Sequence, residues 1–192
     1  MSAVRVVAVT KGFGADAVRA AHEAGLRDIG ENYDTELRRK APGPEGTRWH
    51  FLGPVQRNKV RTLAPLVAVW QGVARVVEGE RIAACAPGAT VLVQVDCTGL
   101  PGRNGCTLDE VPRLVRALSA LELDVQGLMT VAPPGDGAAA VFRQVAQMAR
   151  SLDLPERSMG MTDDLEAAVA AGTTMVRIGR ALFGERSRGT AG

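Results

Sequence analysis

The sequence alternates short apolar, β-branched runs with Ala-rich helical segments from one end to the other. Residues 4–9 begin this series with the pattern of a buried strand, and residues 16–24 follow with apolar side chains at helical spacing, ended by Gly25. Further strands are predicted at 28–30, 49–53, 67–72, 90–95, 125–129, 158–160 and 174–179, and further helices at 33–40, 56–63, 75–86, 108–121, 138–152, 163–171 and 181–183. Eight such units, without consecutive hairpins, predict a single α/β domain, a compact (β/α)8 TIM barrel. An open doubly wound sheet is the alternative fold.

Composition excludes several classes of protein. The chain has 192 residues, 46% of them hydrophobic, and a formal net charge of +2, which gives no electrostatic case for nucleic acid or an anionic membrane as partner. No apolar run approaches the roughly 20 residues of a membrane-spanning helix, and the first residues lack a signal-peptide pattern. Three cysteines without a C-x-x-C pair argue against a disulfide framework or a metal site. We expect a cytoplasmic protein with a barrel over residues 1–184 and a flexible tail at 185–192.

Lysine is rare in this sequence, and its positions are informative. Only Lys11, Lys40 and Lys59 are lysines, whereas the other 20 basic residues are arginines. In a (β/α)8 barrel the active site lies at the carboxyl ends of the strands, and Lys11 directly follows the first strand. Arg177 lies near the end of the eighth strand, so the two cations would be neighbours, and a desolvated neutral amine can form a Schiff base with a carbonyl. The alternatives are codon bias and a solvated lysine that merely ends a strand.

A second candidate site lies near the seventh and eighth strands, where barrels commonly bind phosphate. The hydroxyls of Ser158 and Thr162, the N–H groups of the following helix and the backbone around Gly179 and Arg180 are suitable donors. The competing interpretation is that Thr162 and Asp163 only cap that helix. Two more polar residues have structural interpretations: His50 fits a hydrogen-bonded core histidine, and Asn58 is suited to satisfy groups at a helix end.

Six stretches of the chain together resemble the pyridoxal 5′-phosphate (PLP) homeostasis protein family. They are AVTK (8–11), AGLRDIGENY (24–33), WHFLGPVQRNK (49–59), VLVQVD (91–96), QGLMT (126–130) and SMGMTDDLEAAVAAGTTMVRIGRALFG (158–184). The last stretch is long and specific, and the motifs follow in order over nearly the whole chain. The resemblance implies a single (β/α)8 barrel related to the N-terminal domain of alanine racemase, with PLP at the strand ends.

The resemblance also implies roles for particular residues. Lys11 would form the internal aldimine with PLP, and Arg177 would face the pyridine nitrogen, which weakens PLP as an electron sink. The remaining cofactor-binding residues implied by the family motifs are Asn32, His50, Asn58, Ser158, Met161, Thr162, Gly179 and Arg180.

The chain departs from the family pattern at four places. It begins almost at the first strand, where family members usually carry an extra helix. Arg103 stands where a lysine is usual, and Gly72-Val73-Ala74 replaces a serine-valine-aspartate stretch. Arg57-Asn58-Lys59 replaces the usual serine-asparagine-lysine. The change at Arg103 puts a secondary PLP-transfer role at that position in doubt, and loss of the helix could expose an oligomer surface.

Two functions remain open at this point. The first is a PLP carrier or regulator without turnover of its own, whose partners are PLP and the apo-enzymes that receive it. The second is a divergent PLP-dependent enzyme acting on amino acids, racemase-like or biosynthetic. A two-base racemase needs an acid or base on each face of the substrate, and the one tyrosine, Tyr33, follows the second strand. This point and, above all, the family resemblance favour the carrier, which we expect to be a monomer or weak homodimer.

Overall fold

A computed structural model describes residues 3–133 and 137–184. Its strands are β1 (Arg5–Val9), β2 (Asp28–Glu31), β3 (Arg48–Phe51), β4 (Val67–Val73), β5 (Thr90–Val95), β6 (Asp124–Thr130), β7 (Glu156–Ser158) and β8 (Met175–Ile178). Its helices are α1 (Ala15–Glu23), α2 (Asp34–Lys40), α3 (Arg57–Leu63), α4 (Val76–Cys85), α5 (Val111–Ala120), α6 (Ala138–Ser151), α7 (Leu165–Ala170) and α8 (Arg180–Phe183). The flexible tail expected at 185–192 lies outside the described residues, as do residues 1–2 and 134–136.

The eight strands form one closed, parallel barrel in sequence order, which confirms the predicted (β/α)8 fold. Closure is made by β1 and β8, where Val7 is in register with Arg177 and Ala8 with Ile178. Parallel neighbours need crossover connections, and one helix follows each strand here. Closure therefore brings the segment after β1 beside the end of β8.

Most elements differ from their predicted bounds by one to three residues, and two of these differences have a clear physical cause. Strand β7 is Glu156–Ser158 rather than 158–160, because Gly160 has φ +96° and leaves the strand conformation. Because Glu156 and Arg157 are charged, this strand does not appear as an apolar run in the sequence. Helix α5 begins at Val111 rather than 108, because the Glu110 carboxylate accepts hydrogen bonds from the N–H and hydroxyl of Thr107 and holds a turn there.

The apolar core lies mainly between the barrel and its helices. Outward-facing strand residues such as Trp70, Val91 and Leu128 belong to one large buried cluster with the helices. Side chains one position along the same strands point inward. Val69, Leu92 and Met129 form a separate small cluster of this kind. Much of the remaining interior is polar, with buried His50, Gln71, Ser158 and Arg177.

None of the described helices combines the length and the apolar character needed to cross a membrane.

Gly53 is expected to be required for barrel packing, because a Cβ at this position would lie 2.1 Å from the backbone oxygen of Asn32. Gly53→Ala should therefore lower the free energy of unfolding by about 1–3 kcal/mol. Gly79→Ala is the matched comparison: its Cβ would lie 2.1 Å from Cδ2 of Leu118, a side-chain atom that can rotate away. Alanine at position 79 also gains about 0.8–1.0 kcal/mol of helix propensity. Denaturant titration of both variants checks this, and an equal or larger loss for Gly79→Ala would contradict it.

Candidate functional site

A pocket of about 490 Å³ opens at the carboxyl ends of the strands. This volume lies within the roughly 300–1,000 Å³ typical of small-molecule sites. Seven of the residues predicted to bind a cofactor line it: Lys11, Asn32, Met161, Thr162, Arg177, Gly179 and Arg180. The β1–β8 closure explains why residues from opposite ends of the sequence meet here.

Arg177 forms part of the pocket floor and is held by hydrogen bonds. Its guanidinium donates from one nitrogen to the carbonyl oxygen and hydroxyl of Ser158, at 2.7 and 2.8 Å, and from the other to the carbonyl oxygen of Thr130, at 2.7 Å. Burial lowers the pKa of Arg177 to about 10, which still leaves the group cationic at neutral pH. The pocket therefore has a positively charged floor of fixed orientation.

A line of hydrogen bonds continues from Arg177 down the barrel interior. The Ser158 hydroxyl donates to Oε1 of Gln71 at 2.7 Å, and Nε2 of Gln71 lies 2.7 Å from Nδ1 of His50. Nε2 of His50 lies 2.8 Å from the carboxylate of Asp28. Because an amide nitrogen only donates, His50 accepts at Nδ1 and donates at Nε2. Each group thus donates to the next, from the Arg177 cation to the Asp28 anion.

Two of the predicted cofactor-binding residues, Ser158 and His50, belong to this line of hydrogen bonds. Ser158 and His50 are fully buried, inside the barrel and beneath the pocket rather than among the residues that line it. The predicted role of Ser158 as a phosphate donor does not match this position, because its hydroxyl is engaged with Arg177 and Gln71. The structural interpretation of His50, a hydrogen-bonded core histidine, matches what is observed.

Asn58 lies away from the mouth. It borders a separate surface groove of about 450 Å³ together with Arg57 and residues of α4, among them Val77 and Glu80. Helix α3 runs on the outside of the barrel, so a residue in its first turn is not directed into the interior. The family motif that suggested Asn58 as a pocket residue thus does not bring it to the described pocket.

Thr162, Gly179 and Arg180 form one wall of the pocket. A Cβ on Gly179 would lie 3.1 Å from the backbone oxygen of Val9, so glycine permits the close approach of β8 to β1 here. Arg180 forms an ion pair with Asp163, and both side chains are largely exposed. Helix α7 has no side-chain hydrogen bond at its N-cap, Asp164. The capping role considered for Asp163 is therefore not observed.

Gln94 and Asn104, which are not predicted from the sequence, form a polar pair that borders the pocket. Gln94 and Asn104 bond reciprocally: Nε2 of Gln94 donates to the Asn104 backbone oxygen at 2.9 Å, and Nδ2 of Asn104 donates to Oε1 of Gln94 at 2.7 Å. Asn104 also donates to the Gly72 oxygen at 3.1 Å. These bonds hold the loop after β5, including Arg103, over the mouth. Gln94 was detectable as the one polar residue in the apolar run at 91–95.

No group of three or more His, Cys, Asp or Glu side chains in the described ranges is arranged to hold a metal ion. Burial raises the pKa of Cys106 to about 12 and also raises the pKa of Cys97. Both thiols are therefore protonated at neutral pH, which makes them poor nucleophiles.

A closed parallel barrel with a cation-bearing pocket at its carboxyl mouth defines the class of (β/α)8 proteins that take a small ligand at the strand ends. Residues 1–187 match the family model described as alanine racemase, N-terminal domain. The chain is 41% identical over 191 residues to the pyridoxal phosphate homeostasis protein of Deinococcus radiodurans, with 94% of this chain and 88% of that protein covered. The chain therefore belongs to the alanine racemase N-terminal domain family and, within it, to the pyridoxal phosphate homeostasis proteins.

Solved structures agree with this assignment. PipY of Synechococcus elongatus without PLP is 32% identical and superposes with a TM-score of 0.86, with 94% of this chain and 93% of that chain covered. PipY with PLP bound gives a TM-score of 0.82 and covers 94% and 92% of the two chains. The alanine racemase of Clostridium difficile, at 15% identity and a TM-score of 0.80, shares the fold.

The interior hydrogen-bond line predicts a pH dependence of stability. Burial lowers the pKa of His50 below its ordinary 6.5, against the opposing effect of Asp28. As the pH falls below about 6.5, the unfolded chain takes up a proton at this residue before the folded chain does, so the folded state loses stability. The contribution is at most about 1.4 kcal/mol per pH unit, the value for one proton. His50→Gln should remove that part of the slope between about pH 6.5 and 5, measured by denaturant titration.

His22→Gln, which replaces the other histidine, is the control. It should keep the wild-type slope. A slope that persists in His50→Gln, or disappears in His22→Gln, would contradict the assignment of His50 as a buried neutral group.

Proposed function

We propose that this protein binds PLP at the barrel mouth and acts in PLP homeostasis as a carrier. The proposal is carried by one observation: Lys11, just after β1, and Arg177, in β8, line the same pocket of cofactor size. The names of the curated relatives and the PLP-bound structure of PipY support the same ligand.

The residues of the pocket fit PLP in three respects. PLP carries an aldehyde, a ring nitrogen and a phosphate, and the pocket offers an amine at Lys11, a buried guanidinium at Arg177 and a wall with Thr162, Gly179 and Arg180. Gly179 and Val9 both line the pocket, and glycine keeps this part of the wall free of a side chain. We assign the phosphate to this wall, where the Arg180 cation reduces the repulsion that Asp163 would exert on an anion.

Lys11 is the proposed point of covalent attachment. The amine of Lys11, in its neutral form, would bond to the aldehyde carbon of PLP, and the carbonyl oxygen would leave as water. Bound in this way, PLP supplies an electron sink for amino-acid chemistry. Arg177 holds its protons at neutral pH and donates toward the ring nitrogen, which keeps that nitrogen unprotonated and weakens the sink. Asn32 and Met161 border the ring in this assignment.

The carrier function is favoured over catalysis by the position of the acid and base groups. Tyr33, the one tyrosine of the chain, is 58% exposed and is not among the residues that line the mouth pocket. Asp163, the one carboxylate among the lining residues, is paired with Arg180. General acid–base catalysis that lacks a second positioned proton donor forfeits on the order of 10²–10⁴-fold in rate. In this proposal the protein acts in the cytoplasm and passes PLP to apo-enzymes.

Borohydride trapping tests the attachment site. Reduction of the PLP-loaded protein should add one PLP-derived mass to the peptide that contains Lys11, because reduction of C=N makes the bond permanent. Lys11→Ala should lose both this adduct and the yellow absorbance, whereas Lys59→Ala, which removes a half-exposed lysine paired with Asp34, should keep both. Mass spectrometry of the digested protein is the measurement. An adduct on another lysine, or unchanged absorbance of Lys11→Ala, would contradict the assignment.

The loaded protein also distinguishes a carrier from an enzyme. Incubated with L-amino acids in deuterated water, a carrier leaves the Cα proton of the amino acid in place over many hours. Rapid deuterium incorporation or formation of the D-enantiomer would overturn the carrier proposal and favour the PLP-dependent enzyme.

A further inference from the structure

The segment that carries Lys11 is fixed on both sides of that residue. Thr10 is fully buried, and its backbone N–H donates to the Gly30 oxygen at 3.1 Å. The Phe13 N–H donates back to the Thr10 oxygen at 3.0 Å, which closes a tight turn around Lys11 and Gly12. The Phe13 ring packs against the ring of Phe183, with centroids 5.4 Å apart. The turn is therefore tied to the barrel and to α8.

Lys40, at the end of α2, contacts this turn through its side chain. Its side chain is 0% exposed, and its ammonium donates to the Thr10 oxygen at 2.7 Å, to Oε1 of Glu31 at 2.6 Å and to Oε2 of Glu36 at 3.0 Å. A lysine ammonium has three hydrogens, so these three acceptors use its full donor capacity. Because all three donors are bound to acceptors, the Lys40 ammonium is held in one position.

The two carboxylates of this cluster also contact the turn directly. The Thr10 hydroxyl donates to Oε1 of Glu31 at 2.6 Å, and the Gly12 backbone N–H donates to Oε2 of Glu36 at 2.8 Å. Hydrogen bonds from the Gly12 N–H and Lys40 lower the pKa of Glu36, outweighing the opposite effect of its partial burial. Glu36 is therefore ionised at neutral pH and bonds the residue directly after Lys11.

The burial of Glu31 in this cluster is energetically unfavourable. Its side chain is 0% exposed, burial raises its pKa, and its Oε2 has no hydrogen-bond partner among the described residues. A buried ion pair with an unsatisfied oxygen is weak evidence for stability, since a well-packed apolar pair often does as well. A role in placing the turn accounts for the pair better than a role in folding stability.

We propose that Glu31, Glu36 and Lys40 are positioning residues for Lys11: they hold the backbone on each side of it so that its amine meets the PLP aldehyde in bonding geometry. This inference rests on the proposed attachment of PLP at Lys11. It adds that attachment depends on a charged cluster outside the pocket, since Glu31, Glu36 and Lys40 are not among the residues that line it.

The test compares two ligands that differ at the reacting atom. PLP gains from covalent attachment, whereas pyridoxamine 5′-phosphate, which carries an amine in place of the aldehyde, binds through the rest of the pocket alone. Glu36→Ala should slow the borohydride-trappable attachment of PLP by about tenfold or more, because misplacing a reacting group by about 1 Å can cost 10²-fold. The affinity for pyridoxamine 5′-phosphate should change by less than about twofold.

Two further variants separate positioning from a general loss of structure. Glu36→Gln keeps an acceptor for the Gly12 N–H, so it should restore part of the attachment rate. Glu110→Ala is the matched control, because it removes another carboxylate that accepts a backbone N–H, that of Thr107 at 2.8 Å, in front of α5. It should leave the attachment rate unchanged. The Glu36 side chain is 20% exposed, and its variants retain the Glu31–Lys40 pair, so we expect them to fold.

The outcomes distinguish this inference from the proposed function. If Lys11→Ala abolishes trapping but Glu36→Ala reacts at the wild-type rate, the positioning role is wrong and the attachment site stands. If Glu36→Ala weakens both ligands equally, the cluster supports the pocket as a whole and the proposal is also wrong. If Lys11→Ala still traps PLP elsewhere, the proposed attachment itself fails.

Discussion

A guanidinium does not give up its proton at neutral pH, so the burial of Arg177 obliges the barrel to provide acceptors for it. Ser158 and the Thr130 carbonyl do this directly, and the hydroxyl of Ser158 then requires an acceptor of its own in Gln71. Gln71 in turn donates to His50, and His50 donates to Asp28, the first group in the line with a negative charge. The buried polar side chains Ser158, Gln71 and His50 thus form one line of hydrogen bonds that begins at the Arg177 cation.

The pocket combines two different ways of fixing a charged side chain. Arg177 is held through its own guanidinium, by partners inside the barrel. The backbone around Lys11 is held instead, by the Lys40 ammonium and the Glu36 carboxylate outside it. These two bonds fix the turn through its backbone atoms, at Thr10 and Gly12. This division suits a pocket that is proposed to hold one end of its ligand by a covalent bond and the rest by charge and shape.

Much of the fold and part of the pocket could be predicted from the sequence. The period of apolar residues predicts eight βα units, and closure of eight parallel strands makes the ends of β1 and β8 neighbours, so the pairing of Lys11 with Arg177 at one mouth followed. The depth of a side chain along the barrel axis did not follow, because it depends on the register between strands. The family motifs placed Ser158 and His50 among the cofactor-binding residues, and both are buried in the barrel interior instead of lining the pocket. The contacts of Asn104 and Lys40 were missed because both reach partners on other βα units.

Pairing of the first strand with the last has a consequence for synthesis on the ribosome. Lys11 emerges early, but the wall and floor that would surround it come from the final two βα units. Until those have left the exit tunnel, the nascent chain contains Lys11 but neither the wall nor the floor of the pocket. On the proposed attachment of PLP, a translation product that stops before these units would not take up the cofactor and would remain colourless.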